Sequence, residues 1–271
     1  MANREIDLIG VPCSAGCRAE TSFTIDQHRA PAAIRAAYEE LMAGFNVPRC
    51  FTDKGDVASG ANVDRMLAEV ANATKSSLSA GRTPFILGGA HTLTLGSLRA
   101  AHAYNPNFSL IYFDAHPDLM PHPDINYGSS LYYAIKEGLI APDRIALIGI
   151  RQAETPELEF IKQNKINLFT ARDVAAKGLE KVINELHQKL KGPYFISVDL
   201  DGIDPAFAPG VTTPYPLGLA PREVECIAAE FAKELLVGEI VEHAPANDRM
   251  GRTAYLAAGI LRSMTEAASN S

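Results

Sequence analysis

Short apolar runs punctuate the chain, and the segments between them carry apolar residues at helical spacing. The runs Ile6–Val11, Arg49–Thr52, Pro84–Leu87, Ser109–Asp114, Ile145–Ile150, Ile166–Thr170, Tyr194–Asp199 and Val237–Glu242 predict strands. The intervening patterns predict helices over Ala30–Met42, Val63–Ser79, Leu93–Ala103, Ser129–Glu137, Pro156–Gln163, Leu179–Leu190, Pro221–Glu234 and Thr253–Ala267. Strand and helix alternate from end to end, as in an α/β fold with a mainly parallel sheet and helices on both faces. The strands are apolar on both sides rather than alternating, which suits strands covered on both faces. No Gly/Ser linker or run of charge divides the chain, so a single domain over residues 1–271 is expected. Periodicity alone leaves a closed β/α barrel open as the other arrangement of eight strand–helix units.

In either arrangement the ligand site belongs beyond the carboxyl ends of the strands, and polar chemistry gathers at those ends. Leu110-Ile111-Tyr112-Phe113 runs into Asp114-Ala115-His116-Pro117-Asp118. In extended backbone, residues i, i+2 and i+4 project to one side, so Asp114, His116 and Asp118 converge. Phe85-Ile86-Leu87 leads to Gly88-Gly89-Ala90-His91, where the glycines allow a tight turn from strand to helix. Phe195-Ile196-Ser197-Val198 leads to Asp199-Leu200-Asp201, and Val237–Val241 leads to Glu242-His243.

Composition narrows the chemistry. The 271 residues are 47% hydrophobic and 21% charged, enough for a sizeable core, and the net charge is −7. That balance, with no basic patch, argues against a nucleic-acid partner. No apolar run is long enough to cross a membrane, and the N-terminus lacks a leader pattern. Cys13, Cys17, Cys50 and Cys226 lack the paired spacing of a zinc site and read as reduced thiols of a cytoplasmic protein. Asp114, Asp118, Asp199 and Asp201 brought together would repel one another severely without cations. Two divalent ions would neutralise them, and oxygen-rich ligation with a minority of imidazole from His91 and His116 favours Mn²⁺. Bound water then falls from a pKa of about 15.7 towards about 7, which makes metal-assisted hydrolysis the expected reaction class.

The motifs Gly88-Gly89-Ala90-His91, Asp114-Ala115-His116-Pro117-Asp118, Ser197–Pro205 with Ala208-Pro209-Gly210, and Glu242–Asp248 together resemble those of the ureohydrolases, and in the family's order. That family comprises arginase, agmatinase, guanidinobutyrase and formimidoylglutamase. The resemblance implies a three-layer α/β/α fold with an eight-stranded parallel sheet, two Mn²⁺, and a homo-oligomer, trimeric or hexameric. It implies that His91 and Asp118 bind one metal, that Asp114 and Asp199 bridge the pair, and that His116 and Asp201 bind the other. It implies further that Glu242 pairs with the guanidinium of a small-molecule substrate. A metal-bridging hydroxide would attack the amidine carbon, releasing urea or a formamide and an amine.

Two positions depart from the family pattern. The usual Gly-Gly-Asp-His carries Ala90 in place of its acid, an acid that formimidoylglutamases also lack. The loop histidine thought to shuttle a proton is replaced by Tyr127, with His122 in the same loop as a substitute. Asp118, Glu242, His122 and Tyr127 are the expected catalytic residues. Glu242, Tyr127, Ser129 and Glu154 are the expected substrate contacts. Glu154, in place of an aspartate, resembles the arginase segment that reads an α-amino group, although an ordinary acidic first helical turn is the favoured reading of Glu154 and Glu157. His102 and His187 read as structural or exposed, His243 as a core residue or an outer partner of the site, Asp204 as a turn residue and Asp248 as a helix start or an outer contact. The leading expectation is a guanidino-compound hydrolase. The alternatives are a formimino hydrolase, or a metal-binding homologue without catalysis.

Overall fold

The computed structural model describes residues 4–17, 22–44 and 49–270. Eight strands form one sheet: β1 (Ile6–Gly10), β2 (Thr52–Asp56), β3 (Thr83–Leu87), β4 (Ser109–Phe113), β5 (Ile145–Ile150), β6 (Asn167–Thr170), β7 (Tyr194–Asp199) and β8 (Leu235–Val241). Their order is β2-β1-β3-β8-β7-β4-β5-β6, with every pair parallel. The sheet is open at β2 and β6, which removes the barrel.

The connecting helices are α1 (Ala30–Met42), α2 (Val63–Ser79), α3 (Thr94–Tyr104), α4 (Ser130–Lys136), α5 (Thr155–Asn164), α6 (Ala171–Lys177), α7 (Leu179–Lys189), α8 (Pro221–Ala232) and α9 (Arg252–Ser269). Strand side chains alternate between two cores. Ile111 and Phe113 pack with Ile34 of α1, Val174 of α6, Leu186 of α7, Ile227 of α8 and Leu261 of α9. Leu110 and Tyr112 pack with Leu67 of α2, Leu95 of α3, Leu131 of α4 and Ile161 of α5. The result is three layers, helix–sheet–helix. No helix among the described residues is long and apolar enough to cross a membrane.

Two elements differ from the sequence expectation. The second strand is not Arg49–Thr52 but Thr52–Asp56, and all five of its residues are exposed. An edge strand with one neighbour needs no apolar run, so pattern reading settled on the adjacent Phe51 instead. Helix α6 was not expected, because only Ala171 and Val174 of its residues are buried and no stripe forms. Its start is fixed by capping: Thr170 Oγ1 accepts from the Asp173 amide at 3.1 Å, and Asp173 Oδ2 accepts from the Thr170 amide at 3.0 Å.

Candidate functional site

The four strands whose ends carry the chemistry, β3, β8, β7 and β4, lie side by side at the centre of the sheet. Convergence follows from topology, since parallel neighbours end together. After β3 the chain turns through Gly89, where a Cβ would sit 1.8 Å from the Cys13 carbonyl oxygen. Only glycine fits there, and the turn delivers His91 to the site. Asp118 and Glu242 both adopt positive φ, 54° and 65°. Left-handed backbone at a non-glycine residue costs on the order of 1 kcal/mol or more and concentrates at functional positions.

His91 Nδ1 faces Asp114 Oδ2 at 3.1 Å, Asp199 Oδ2 at 3.0 Å and Asp118 Oδ2 at 3.4 Å. His116 Nδ1 faces Asp201 Oδ2 at 3.2 Å and Asp114 Oδ1 at 3.3 Å. The sequence-predicted ligands therefore gather into two adjoining groups, His91/Asp114/Asp118 and Asp114/His116/Asp201, which share Asp114. Asp199 joins the first group through Oδ2, while its Oδ1 accepts from the Asp201 amide at 2.7 Å.

The free coordination capacity of this cluster fits a pair of divalent cations. Asp114 Oδ2 is buried without a hydrogen-bond partner, a costly state for a carboxylate oxygen unless a cation takes it up. Burial and then the charge of Asp114 push Asp118 well up from the usual carboxylate range; burial and then Asp201 do the same to Asp199. Burial would depress His91, but Asp114 and Asp199 hold it well above the usual histidine range. His116 is raised likewise against burial by Asp201 and Asp114. Burial opposes ionisation of Asp201, yet His116 and the Thr213 hydroxyl hold it low. Six donors of this kind, oxygen-rich with two imidazoles and no thiolate, match a hard or borderline divalent ion.

Outer partners fix the ligands. His91 Nε2 lies 2.8 Å from Ser197 Oγ. With Nδ1 turned to the carboxylates, an Nε2 proton donated to Ser197 would leave Nδ1 available to a metal. Ser197 in turn bonds the fully buried Glu239, which also accepts from Thr94 Oγ1 at 2.5 Å and Ser97 Oγ at 2.9 Å. The Tyr112 ring stacks on His91 with centroids 4.5 Å apart, and its hydroxyl donates to Asp118 Oδ2 at 2.6 Å. Thr213 Oγ1 donates to Asp201 Oδ2 at 2.7 Å. Sequence reasoning singled out none of these roles. Ser197 and Tyr112 were within reach, because each sits two residues before a ligand on the same strand face.

A cavity of about 350 Å³ opens beside His116 and Asp118, and His122, Tyr127, Glu154 and Tyr215 line it. Three of the expected loop residues thus reach the cavity. Ser129 is fully buried, and its hydroxyl holds the loop, donating to the Asp124 carbonyl and accepting from the Asn126 amide at 3.0 Å. Glu157 is tied to the amides of Leu119 and Glu154 at 3.0 and 2.9 Å, as its helix-start reading expects. His122 Nδ1 lies 3.1 Å from the Asp124 amide and 3.3 Å from the Asp124 carbonyl.

Glu242 is 4% exposed and stands directly against His91, whose amide donates to Oε1 at 2.6 Å. Gln27 Nε2 donates to Oε2 at 2.8 Å. Burial pushes the Glu242 carboxyl up, and Gln27 and the His91 amide partly offset this. Burial and then the charge of Glu242 push the Cys17 thiol up. Away from the site, His102 Nδ1 meets the Leu139 carbonyl at 2.9 Å, and His243 Nδ1 donates to the Gly210 carbonyl at 3.0 Å. Asp248 accepts from the Thr253 and Ala254 amides at the start of α9.

The model of the Arginase family matches residues 4–266. A 32.2 kDa protein of Methanothermus fervidus is 33% identical over 183 residues, 66% of this chain; the chain spans 61% of that protein's length. The guanidinobutyrase of Pseudomonas aeruginosa is 32% identical over 271 residues, covering 94% of this chain and 84% of its own. The crystal structure of arginase from Bacillus cereus superposes with a TM-score of 0.86 at 27% identity, covering 97% of this chain and 98% of that one.

Proposed function

This chain belongs to the arginase family, hydrolases of C–N bonds in linear amidines, and from that premise we propose that it is a manganese-dependent hydrolase releasing urea from a small guanidino compound. The observation that carries the reading is the buried cluster of His91, Asp114, His116, Asp118, Asp199 and Asp201, with the Glu242 carboxylate bonded to the amide of His91. When bound there, two Mn²⁺ would supply a water ionised near neutral pH. His91, Asp118, Asp114 and Asp199 would hold one ion; Asp114, Asp199, His116 and Asp201 would hold the other. Glu242 would accept N–H bonds from the planar cation, the geometry that suits a carboxylate fork. Tyr127 and His122, which line the cavity beside His116 and Asp118, would hand a proton to the departing amine. Glu154 would face the far end of the substrate. The four free cysteines accord with a reducing compartment, the cytoplasm.

Ala90, a buried side chain without a carboxylate where the family pattern carries an acid, supports formimino hydrolysis as the second reading. Both are tested on one panel: arginine, agmatine, 4-guanidinobutyrate, guanidine and formiminoglutamate, with Mn²⁺-loaded protein. Urea from a guanidino substrate supports the first reading, and formamide from the last supports the second. Silence on all five would contradict both.

A further inference from the structure

We infer that Gln27 is a specificity-determining residue: its side-chain carbonyl is a second acceptor beside Glu242 that reads an additional N–H of the substrate, selecting a guanidinium over an amidinium with one NH₂ fewer. The inference rests on the assignment of Glu242 to the substrate cation.

Gln27 opens the turn that leads into α1 and is fully buried. Its amide orientation follows from chemistry: the group 2.8 Å from Glu242 Oε2 must be the NH₂, since two acceptors would repel there. The same Nε2 lies 3.3 Å from Thr212 Oγ1. This leaves Oε1 as a buried acceptor with no hydrogen-bond partner. A buried unsatisfied carbonyl is disfavoured unless something supplies a donor. The position is not slack either. The flanking segment is stitched to the chain after Glu242: Asp26 Oδ2 accepts from the Ala246 amide at 3.0 Å, and Thr24 and Asn247 exchange two bonds of 3.1 and 3.0 Å. Gln27 is thus held against Glu242, with the NH₂ half of its amide committed and Oε1 without a partner.

A guanidinium carries N–H donors on all three nitrogens, so it can satisfy Glu242 and Gln27 Oε1 together. Acetamidinium has nearly the same size and charge but puts a methyl group where one NH₂ stood. A site built to accept an N–H discriminates strongly against an analogue lacking it, because the buried acceptor is then left unpaired.

The test is calorimetric titration of the Mn²⁺-loaded protein with guanidinium and with acetamidinium, in the wild type and in Gln27→Met and Gln27→Ala, alongside urea release. The wild type is expected to prefer guanidinium by roughly tenfold or more, and either variant to lose most of that preference. Circular dichroism establishes that the variants are folded; two variants of different size guard against one failing. Equal affinity of the wild type for the two ions, or an unchanged preference in the folded variants, assigns Oε1 to a buried water and overturns the proposal. Preference that depends on Gln27 in a protein that releases no urea upholds the proposal and counts against the hydrolase reading instead.

Discussion

Ser197→Ala would leave the Nε2 proton of His91 without its acceptor and free the ring to turn, while changing nothing that touches metal directly. Loss of such an orienting partner weakens metal affinity by roughly 10–100-fold. Calorimetric Mn²⁺ titration should show that loss with the fold retained, and unchanged affinity would contradict the relay from His91 through Ser197 to Glu239. At Tyr127 the expectation runs the other way. A phenol titrates near about 10, an imidazole near about 6.5, so Tyr127→His should raise turnover on a guanidino substrate several-fold. An unchanged or lower rate would show that His122 already supplies the proton. Spacing singled out Asp114, His116 and Asp118, but strand β4 ends at Phe113 and Asp118 has left-handed backbone, so the turn beyond the strand, not alternation along it, brings their side chains together. Spacing did not single out Gln27. It comes from a connecting turn, 215 residues from Glu242 in sequence, and no local pattern marks which turn residue a fold will lay against a strand end.

Elements were readable where burial shaped their pattern and obscure where it did not. The central strands β3, β8, β7 and β4 are buried throughout, and their apolar runs announced them. Strand β2 pairs with one neighbour and is wholly exposed, so its TDKGD sequence carries no apolar signal. Helix α6 is defined by its cap more than by a face, and Thr170→Ala should destabilise the protein by about 1 kcal/mol, read as a lower denaturant midpoint; no change would mean that Asp173 alone holds the first turn. The turn after β3 is stricter. Gly89→Ala must displace the Cys13 carbonyl or His91 itself, so Mn²⁺ retention should fall along with stability.

At the scale of the whole molecule the charges give a sign for pH. His91 and His116 are held protonated beyond their ordinary range, and Asp118 and Asp199 are raised as well. Groups raised in the folded state contribute stability to the metal-free protein at low pH, and that contribution fades as pH rises through their folded values. Metal must displace the same protons, so Mn²⁺ affinity should strengthen as pH rises between about 6 and 8. Stabilisation by a fixed Mn²⁺ concentration, measured as the shift in Tm, should grow in parallel; a shift independent of pH would contradict proton displacement from the cluster. The most direct measurement is urea release from the best guanidino substrate as metal-free protein is titrated with Mn²⁺. Activity should rise and level off at about two equivalents per chain, and Asp114→Asn should abolish it. Saturation at one equivalent, or urea release that needs no metal, would contradict the binuclear assignment.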